Sequence, residues 1–256
     1  MAGEVVYEVK NVTKYYGHVL ALDNASLQLK AGEVVGLVGD NGAGKSTMVK
    51  VLSGAHKPDS GEIILDGQQR HWASPREALD AGVETLYQDS SLAPHLTVAE
   101  NVFLGREELL PGILGWMGFL NTKKMNADAR RDLERVGIAI PPSGRTVTEL
   151  SGGQRQAVAV GRAAAWGSKV LLLDEPTNHL GARQSMEVLE VIKAARNQGL
   201  AVMFISHTLP HVLEVCDRIV VMRLGRIAAN RPCSDFDADS LIGTITGSAN
   251  ALSDEN

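Results

Sequence analysis

Residues 39–46, Gly-Asp-Asn-Gly-Ala-Gly-Lys-Ser, restrict what this chain can become more than any other stretch. They fit the pattern G-x-x-x-x-G-K-[ST]. Its glycines let the backbone curl into a nest of inward-facing amide N–H groups, and the helix that follows adds the partial positive charge of its N-terminus. The contacts expected for a polyphosphate are Gly39, Asn41, Gly42, Ala43, Gly44, Lys45, Ser46 and Thr47. Lys45 can reach the β and γ phosphates, and the Ser46 hydroxyl can ligate Mg²⁺. Context decides whether such a pattern means anything. Glu33 to Val38 is a β-branched, apolar strand, and Ser46 to Leu52 reads as a helix with Val49 and Leu52 inward, ending near Gly54. Strand, glycine loop and helix in that order make this a nucleotide site.

Bulk properties narrow the setting. A chain of 256 residues can hold one large α/β domain, or a core plus a subdomain. The net charge is −5 and no basic block interleaved with aromatics occurs, so nucleic acid is not expected as a main partner. Cys216 and Cys233 lack metal-ligand spacing and read as packing residues of a reducing compartment. The N-terminus lacks a charged-then-apolar leader pattern. No run approaches the roughly 18 apolar residues of a membrane span. The nearest, 109–120, is broken by Pro111, Gly112, Gly115 and Gly118 and is expected to be core or a packing loop of its region, with a partner-binding patch as the alternative. A cytoplasmic protein that reaches a membrane only through a partner is expected.

Along the chain, Val5 to Thr13 and Ala25 to Lys30 alternate apolar and polar residues, which suits an antiparallel sheet with one solvated face. Tyr16, between them, can pack or stack on a purine. A turn at 57–62, a short strand at 63–65 and a turn at Asp66-Gly67 follow; then a helix starts at Ser74-Pro75, and strand 83–87 delivers Gln88. From about 91 to 162 the pattern is helical and reads as an insertion between sheet strands. Thr97 and Glu100 form a capping box there, and 126–136 carries Ala129, Leu133 and Val136 on one face. Ser151, Gly152, Gly153 and Gln154 then open a helix, a second anion-binding end. Val170 to Leu173 ends in Asp174 and Glu175: a buried strand with two carboxylates at its tip. Burying two acids is costly without a cation, and Mg²⁺ at the phosphate loop answers that. Leu200 to Ile205 is another buried strand, tipped by Ser206-His207; a hairpin around Leu224-Gly225 follows, and 247–256 is expected to be a disordered tail.

Together these pieces resemble the ATP-binding cassette ATPases over nearly the whole chain. Residues 39–46 look like Walker A, Gln88 like the Q-loop, 150–154 like the LSGGQ signature, 170–175 like Walker B with its following glutamate, and His207 like the switch histidine. Tyr16 falls at that family's adenine-stacking position. The fold implied is an α/β P-loop NTPase with a RecA-like mixed sheet, an N-terminal antiparallel β-subdomain and an inserted α-helical subdomain, all in one nucleotide-binding domain over 1–246. A finer resemblance, to single-cassette subunits of bacterial simple-sugar importers of the ribose, xylose and fructose type, rests on 151–163, on Ile205-Ser206-His207-Thr208-Leu209-Pro210-His211-Val212 and on Leu180-Gly181. One departure is Gly181, where most cassettes carry an aspartate.

The resemblance implies ATP and Mg²⁺, and a head-to-tail dimer in which ATP on 39–46 of one copy meets Ser151 and Gly153 of the other. It gives Mg²⁺ to Ser46, Gln88 and Asp174, the attacking water to Glu175, and the γ-phosphate to His207 and Lys45. Its partners would be a second copy, a transmembrane permease and, through that, a periplasmic sugar-binding protein. The alternative is a soluble cassette acting on ribosomes or DNA, towards which Asn178-His179-Leu180 points.

Overall fold

Strands that are apolar on both faces must lie between two covering layers, and this sequence has several of them. The structure, a computed structural model, describes residues 3–87, 92–138 and 145–248. Its strands are β1 (Val5–Tyr16), β2 (Val19–Lys30), β3 (Val34–Gly39), β4 (Ser60–Leu65), β5 (Gln68–Arg70), β6 (Val83–Leu86), β7 (Val170–Asp174), β8 (Ala201–Ile205), β9 (Arg218–Arg223) and β10 (Arg226–Pro232). Its α-helices are α1 (Lys45–Leu52), α2 (Pro75–Asp80), α3 (Val98–Val102), α4 (Ile113–Trp116), α5 (Thr122–Arg135), α6 (Gly152–Trp166), α7 (Ala182–Asn197), α8 (Leu209–Val215) and α9 (Ala238–Thr246).

Six strands form the central sheet in the order β10-β9-β3-β8-β7-β6, parallel except for the antiparallel edge pair β10–β9. A second, antiparallel sheet runs β2-β1-β4-β5. The two sheets enclose one core together with α1 and α2; the other face of the central sheet packs on α6, α7 and α8. Alternate residues of β3 divide between these layers, Val35 and Leu37 to the first and Val34 and Val38 to the second. That division is why the run reads as unbroken apolar sequence. This is the mixed sheet with an antiparallel N-terminal sheet that the sequence implied.

Several elements exceed their sequence outlines. β1 and β2 each run twelve residues, to a turn at Gly17-His18. Register shifts occur along the pair, and Asn11 and Asn24 take φ of 52° and 50° there, so bulges interrupt the alternation without ending the strands. β5 carries no apolar pattern. It forms because Asp66 and Gly67, at φ 52° and 72°, turn the chain back onto β4. In the insertion the Thr97 hydroxyl accepts the Glu100 N–H at 3.2 Å while the Glu100 carboxylate accepts the Thr97 N–H at 2.8 Å, the expected capping box. α5 starts four residues ahead of the expected 126, capped by Asn121, whose Oδ1 accepts the Lys124 N–H at 3.1 Å.

Residues 109–120 are not core. Leu110 N–H donates to Phe119 C=O at 2.9 Å and Asn121 N–H to Glu108 C=O at 2.7 Å, closing a small hairpin around α4. Ile113, Leu114, Met117 and Phe119 are all exposed, and Trp116 is 89% exposed. The buried residue is Gly115: a Cβ there would lie 1.8 Å from the Leu110 carbonyl oxygen. The hairpin therefore closes on a glycine and turns its large side chains outward. No helix among the described residues is long and apolar enough to cross a membrane. Residues 141–144 and the expected tail beyond 248 lie outside the described residues.

Candidate nucleotide site

The strand order brings the site together. β8 lies between β3 and β7, with Leu37 level with Ile205 and Ile205 level with Asp174. Three polar strand ends, far apart in sequence, therefore stand side by side at the carboxyl edge of the sheet, where ligands of open α/β folds gather. A cavity of about 900 Å³ opens there, lined by 38–47, Asp174, Glu175, Ser206 and His207.

The phosphate loop is shaped by close packing as well as by turn geometry. Gly39 has φ 153° and Gly44 φ 106°. A Cβ on Gly39 would come within 2.3 Å of the Met222 carbonyl oxygen, and one on Gly44 within 2.7 Å of the Ala21 carbonyl oxygen. β9 and β2 thus press on the loop from two sides. Lys45 Nζ donates to the carbonyls of Gly39 at 2.7 Å and Asp40 at 3.0 Å, so the lysine spans the nest. Gly44 precedes α1 without a side-chain cap, leaving the first amides of the helix to face the cavity.

Opposite lie the two carboxylates. Burial, then the neighbouring Glu175 charge, push the Asp174 carboxyl above its ordinary range, and Lys45 and Lys50 pull it part of the way back. An oxygen-only donor set of Ser46 and Asp174, with an acid destabilised as an anion, is the chemistry that suits a bound Mg²⁺. Glu175 holds φ 56°, a left-handed conformation that costs a non-glycine residue about 1–3 kcal/mol. Its N–H donates to Ile205 C=O at 3.0 Å, which ties the β7 tip to β8. In that pose its carboxylate contacts His207 Nδ1, with Glu175 largely buried and His207 exposed. The two residues singled out at separate strand tips are in direct contact.

The other expected contacts lie elsewhere. None of 150–154 lines the cavity, so one copy's phosphate loop and its own second anion end are not brought together. Ser151 Oγ accepts the Gln154 N–H at 3.2 Å and Gln154 Oε1 accepts the Ser151 N–H at 3.0 Å, a complete capping box on α6. Gly152 faces open space, whereas a Cβ on Gly153 would meet Gln184 of α7 at 2.6 Å. Tyr16 ends β1 with its ring against His56, at 5.5 Å and nearly perpendicular, beside the cavity rather than in its lining. Gln88 lies outside the described residues. At Gly181 the N–H donates to Gln184 Oε1 at 3.3 Å, and glycine has no side chain to cap α7 in return. Cys216 is buried and presses on β3 at Gly36, in keeping with a packing role.

Sequence reasoning missed part of the wall. Val19 and Leu20 at the start of β2, Leu209, and Ile242 and Ile245 of α9 also line the cavity. α9 was legible in principle: Asp237 caps it, its Oδ1 accepting the Ser240 N–H at 2.8 Å, and Gly247 ends it at φ 76°.

Comparison with known proteins agrees with this geometry. The family described as ABC transporter matches residues 22–178. The chain is 47% identical over 249 residues to a fructose import ATP-binding protein, FrcA, of Rhizobium meliloti, covering 96% of each. It is 40% identical over 242 residues to a xylose/arabinose import ATP-binding protein, XylG, of Sulfolobus acidocaldarius, covering 94% of each. Among solved structures, a dimeric ATP-binding cassette in a post-hydrolysis state bound to ADP and Pi superposes with a TM-score of 0.71 at 27% identity, covering 89% of this chain and 98% of that one. Alike in sequence along almost its whole length and alike in fold, this chain belongs to the ABC transporter family.

Proposed function

We propose that this chain is the ATP-hydrolysing subunit of a membrane importer for a simple sugar, working at the cytoplasmic face through a separate permease. The observation that carries the hydrolytic half is the Glu175–His207 contact beside Lys45 and Asp174. The loop amides and Lys45 hold the polyphosphate, with Lys45 exchanging its carbonyl partners for phosphate oxygens. Ser46 and Asp174, with Gln88, would hold Mg²⁺, which when bound neutralises phosphate charge. Glu175, fixed by its backbone and by His207, orients or deprotonates the attacking water, and His207, in the wall of the same cavity as the loop, holds the γ-phosphate. Positioning and electrostatics of this kind account for most of the catalysis in phosphoryl transfer. Of Ser151 and Gly153, expected to meet the phosphate of a second copy, Ser151 is exposed at the start of α6 together with Gly152, whereas Gly153 is buried against Gln184 of α7.

The sugar reading is supported by the names of relatives that match end to end, fructose import in one and xylose/arabinose import in another. Their names lend nothing to a ribosomal or DNA-directed role. The exposed hairpin at 109–120 gives the helical insertion an apolar face of the kind a permease would cover. A tagged Glu175→Gln chain, purified from native membranes with Mg-ATP, tests the reading. It should keep ATP binding, hydrolyse roughly 10²–10⁴ times more slowly, the usual weight of a general base, and bring down a polytopic permease. Ribosomal proteins in its place, or near-normal phosphate release, would overturn it.

A further inference from the structure

The Glu175–His207 contact joins the tips of two strands, and the segment after each tip has to be held as well. After Glu175 the chain turns through Pro176, Thr177 and Asn178, with the Asn178 N–H donating to Glu175 C=O at 3.1 Å. After His207 it enters α8, whose first turn carries Pro210 and His211. The two segments meet at Thr177 and His211, where Thr177 Oγ1 and His211 Nδ1 are hydrogen-bonded at 3.1 Å. Thr177 is buried, at 5% exposure, so its hydroxyl needs a partner inside the protein, and the His211 ring supplies one.

This bond is a second tie between the same two segments. The first lies in the backbone, from Glu175 N–H to Ile205 C=O at 3.0 Å. The Glu175–His207 pair is bracketed between the two ties. Bracketing matters because Glu175 sits at φ 56°, a conformation that a non-glycine residue keeps only when its surroundings hold it. His207 is exposed, so packing does little to fix its ring. Burial, then the His207 charge, hold the His211 ring below the ordinary imidazole value. Near neutrality it therefore meets Thr177 uncharged, and the Glu175 carboxylate is left to His207. Neither Thr177 nor His211 lines the nucleotide cavity, so any effect on the reaction passes through the pair they hold.

We propose that His211 is a positioning residue for ATP hydrolysis: through Thr177 it holds the segment after Glu175 against the first turn of α8, and so keeps Glu175 in contact with His207. The inference rests on the reading of Glu175 and His207 as the hydrolytic pair.

Steady-state phosphate release by the full chain with Mg-ATP tests it, at a protein concentration where turnover per subunit has levelled off. His211→Ala should lower kcat about five- to tenfold, the weight of one hydrogen bond, and leave KM for ATP within about twofold. His211→Asn, whose amide can stand where Nδ1 stands, should recover most of the loss. Thr177→Val should reproduce the loss, and the double variant Thr177→Val/His211→Ala should lose no more than either change alone. His211 is only half-buried, so its variants carry the test should Thr177→Val not fold. A bond that serves stability alone would lower the melting temperature of His211→Ala and leave kcat intact wherever the variant stays folded. That result would overturn the inference, as would equal losses in His211→Asn and His211→Ala. Glu175→Gln, assayed alongside, keeps two failures apart. If it is slow while the His211 variants turn over normally, the role of His211 falls alone; if it releases phosphate at a near-normal rate, the hydrolytic reading beneath it falls too.

Discussion

At the scale of single residues, the site is held in a state that opposes its own stability. Asp174 ionises at a higher pH in the folded chain than in the unfolded one, because burial and Glu175 disfavour its charge. The sign follows from linkage: this carboxyl favours folding below its unfolded pKa and loses that contribution as pH rises through the folded value, so at neutral pH its charge works against the fold. Asp174→Asn should therefore raise the melting temperature of the nucleotide-free chain while removing Mg²⁺-dependent hydrolysis. A scanning-calorimetry comparison at neutral pH checks the first outcome, and a lower melting temperature would count against the assignment. Both carboxylates were visible in the sequence as a pair ending an apolar strand. The contact between Glu175 and His207 was not, because it needs a left-handed backbone at Glu175 and a neighbouring strand that no local pattern specifies.

At the scale of elements, caps and faces were read well where their signals are local. The Thr97–Glu100 box formed as its spacing requires, Ser151 and its glycines open α6, and Pro75 opens α2. The misreading at 109–120 has a physical cause. Hydrophobicity alone cannot distinguish residues that are covered within one chain from residues that are not, and a glycine closure rather than an apolar contact decides which way this hairpin faces. The difference is measurable. Trp116→Ser should change unfolding free energy by no more than about 0.5 kcal/mol, as at other exposed positions. Leu133→Ala, in the buried face of α5, should cost about 2–5 kcal/mol. Urea denaturation of the two variants gives both numbers. A large loss at Trp116 would return the hairpin to the core. Glycines divide in the same way at the start of α6: Gly152 is open and Gly153 is wedged on α7, so Gly153→Ala should destabilise while Gly152→Ala should not.

At the scale of the whole molecule, the two anion-binding ends of one chain belong to different surfaces. The phosphate loop lines the large cavity, and the α6 start at Ser151 does not. If the second end serves the site of another copy, turnover per chain must depend on protein concentration. We expect phosphate release per subunit to rise with concentration and then level off as the dimer forms. A specific rate that is constant over a hundredfold dilution series would show that one copy hydrolyses alone. The dimeric cassette that superposes on this chain gives the expectation a structural counterpart.

What the sequence determined by itself was chemistry carried by short windows. A glycine loop between strand and helix, two acids closing an apolar run, and a serine with two glycines opening a helix are each complete within about ten residues, because backbone geometry and capping are local. The α/β class follows from the same windows, since their periods alternate between strand and helix. What only the tertiary structure decided was adjacency. The order β3-β8-β7 places Gly39, His207 and Asp174 at one edge, and α9, some 200 residues after the loop, closes the same cavity with Ile242 and Ile245. Strand order is chosen by how two faces of a sheet are buried at once, a condition on the whole chain that no single stretch of it contains.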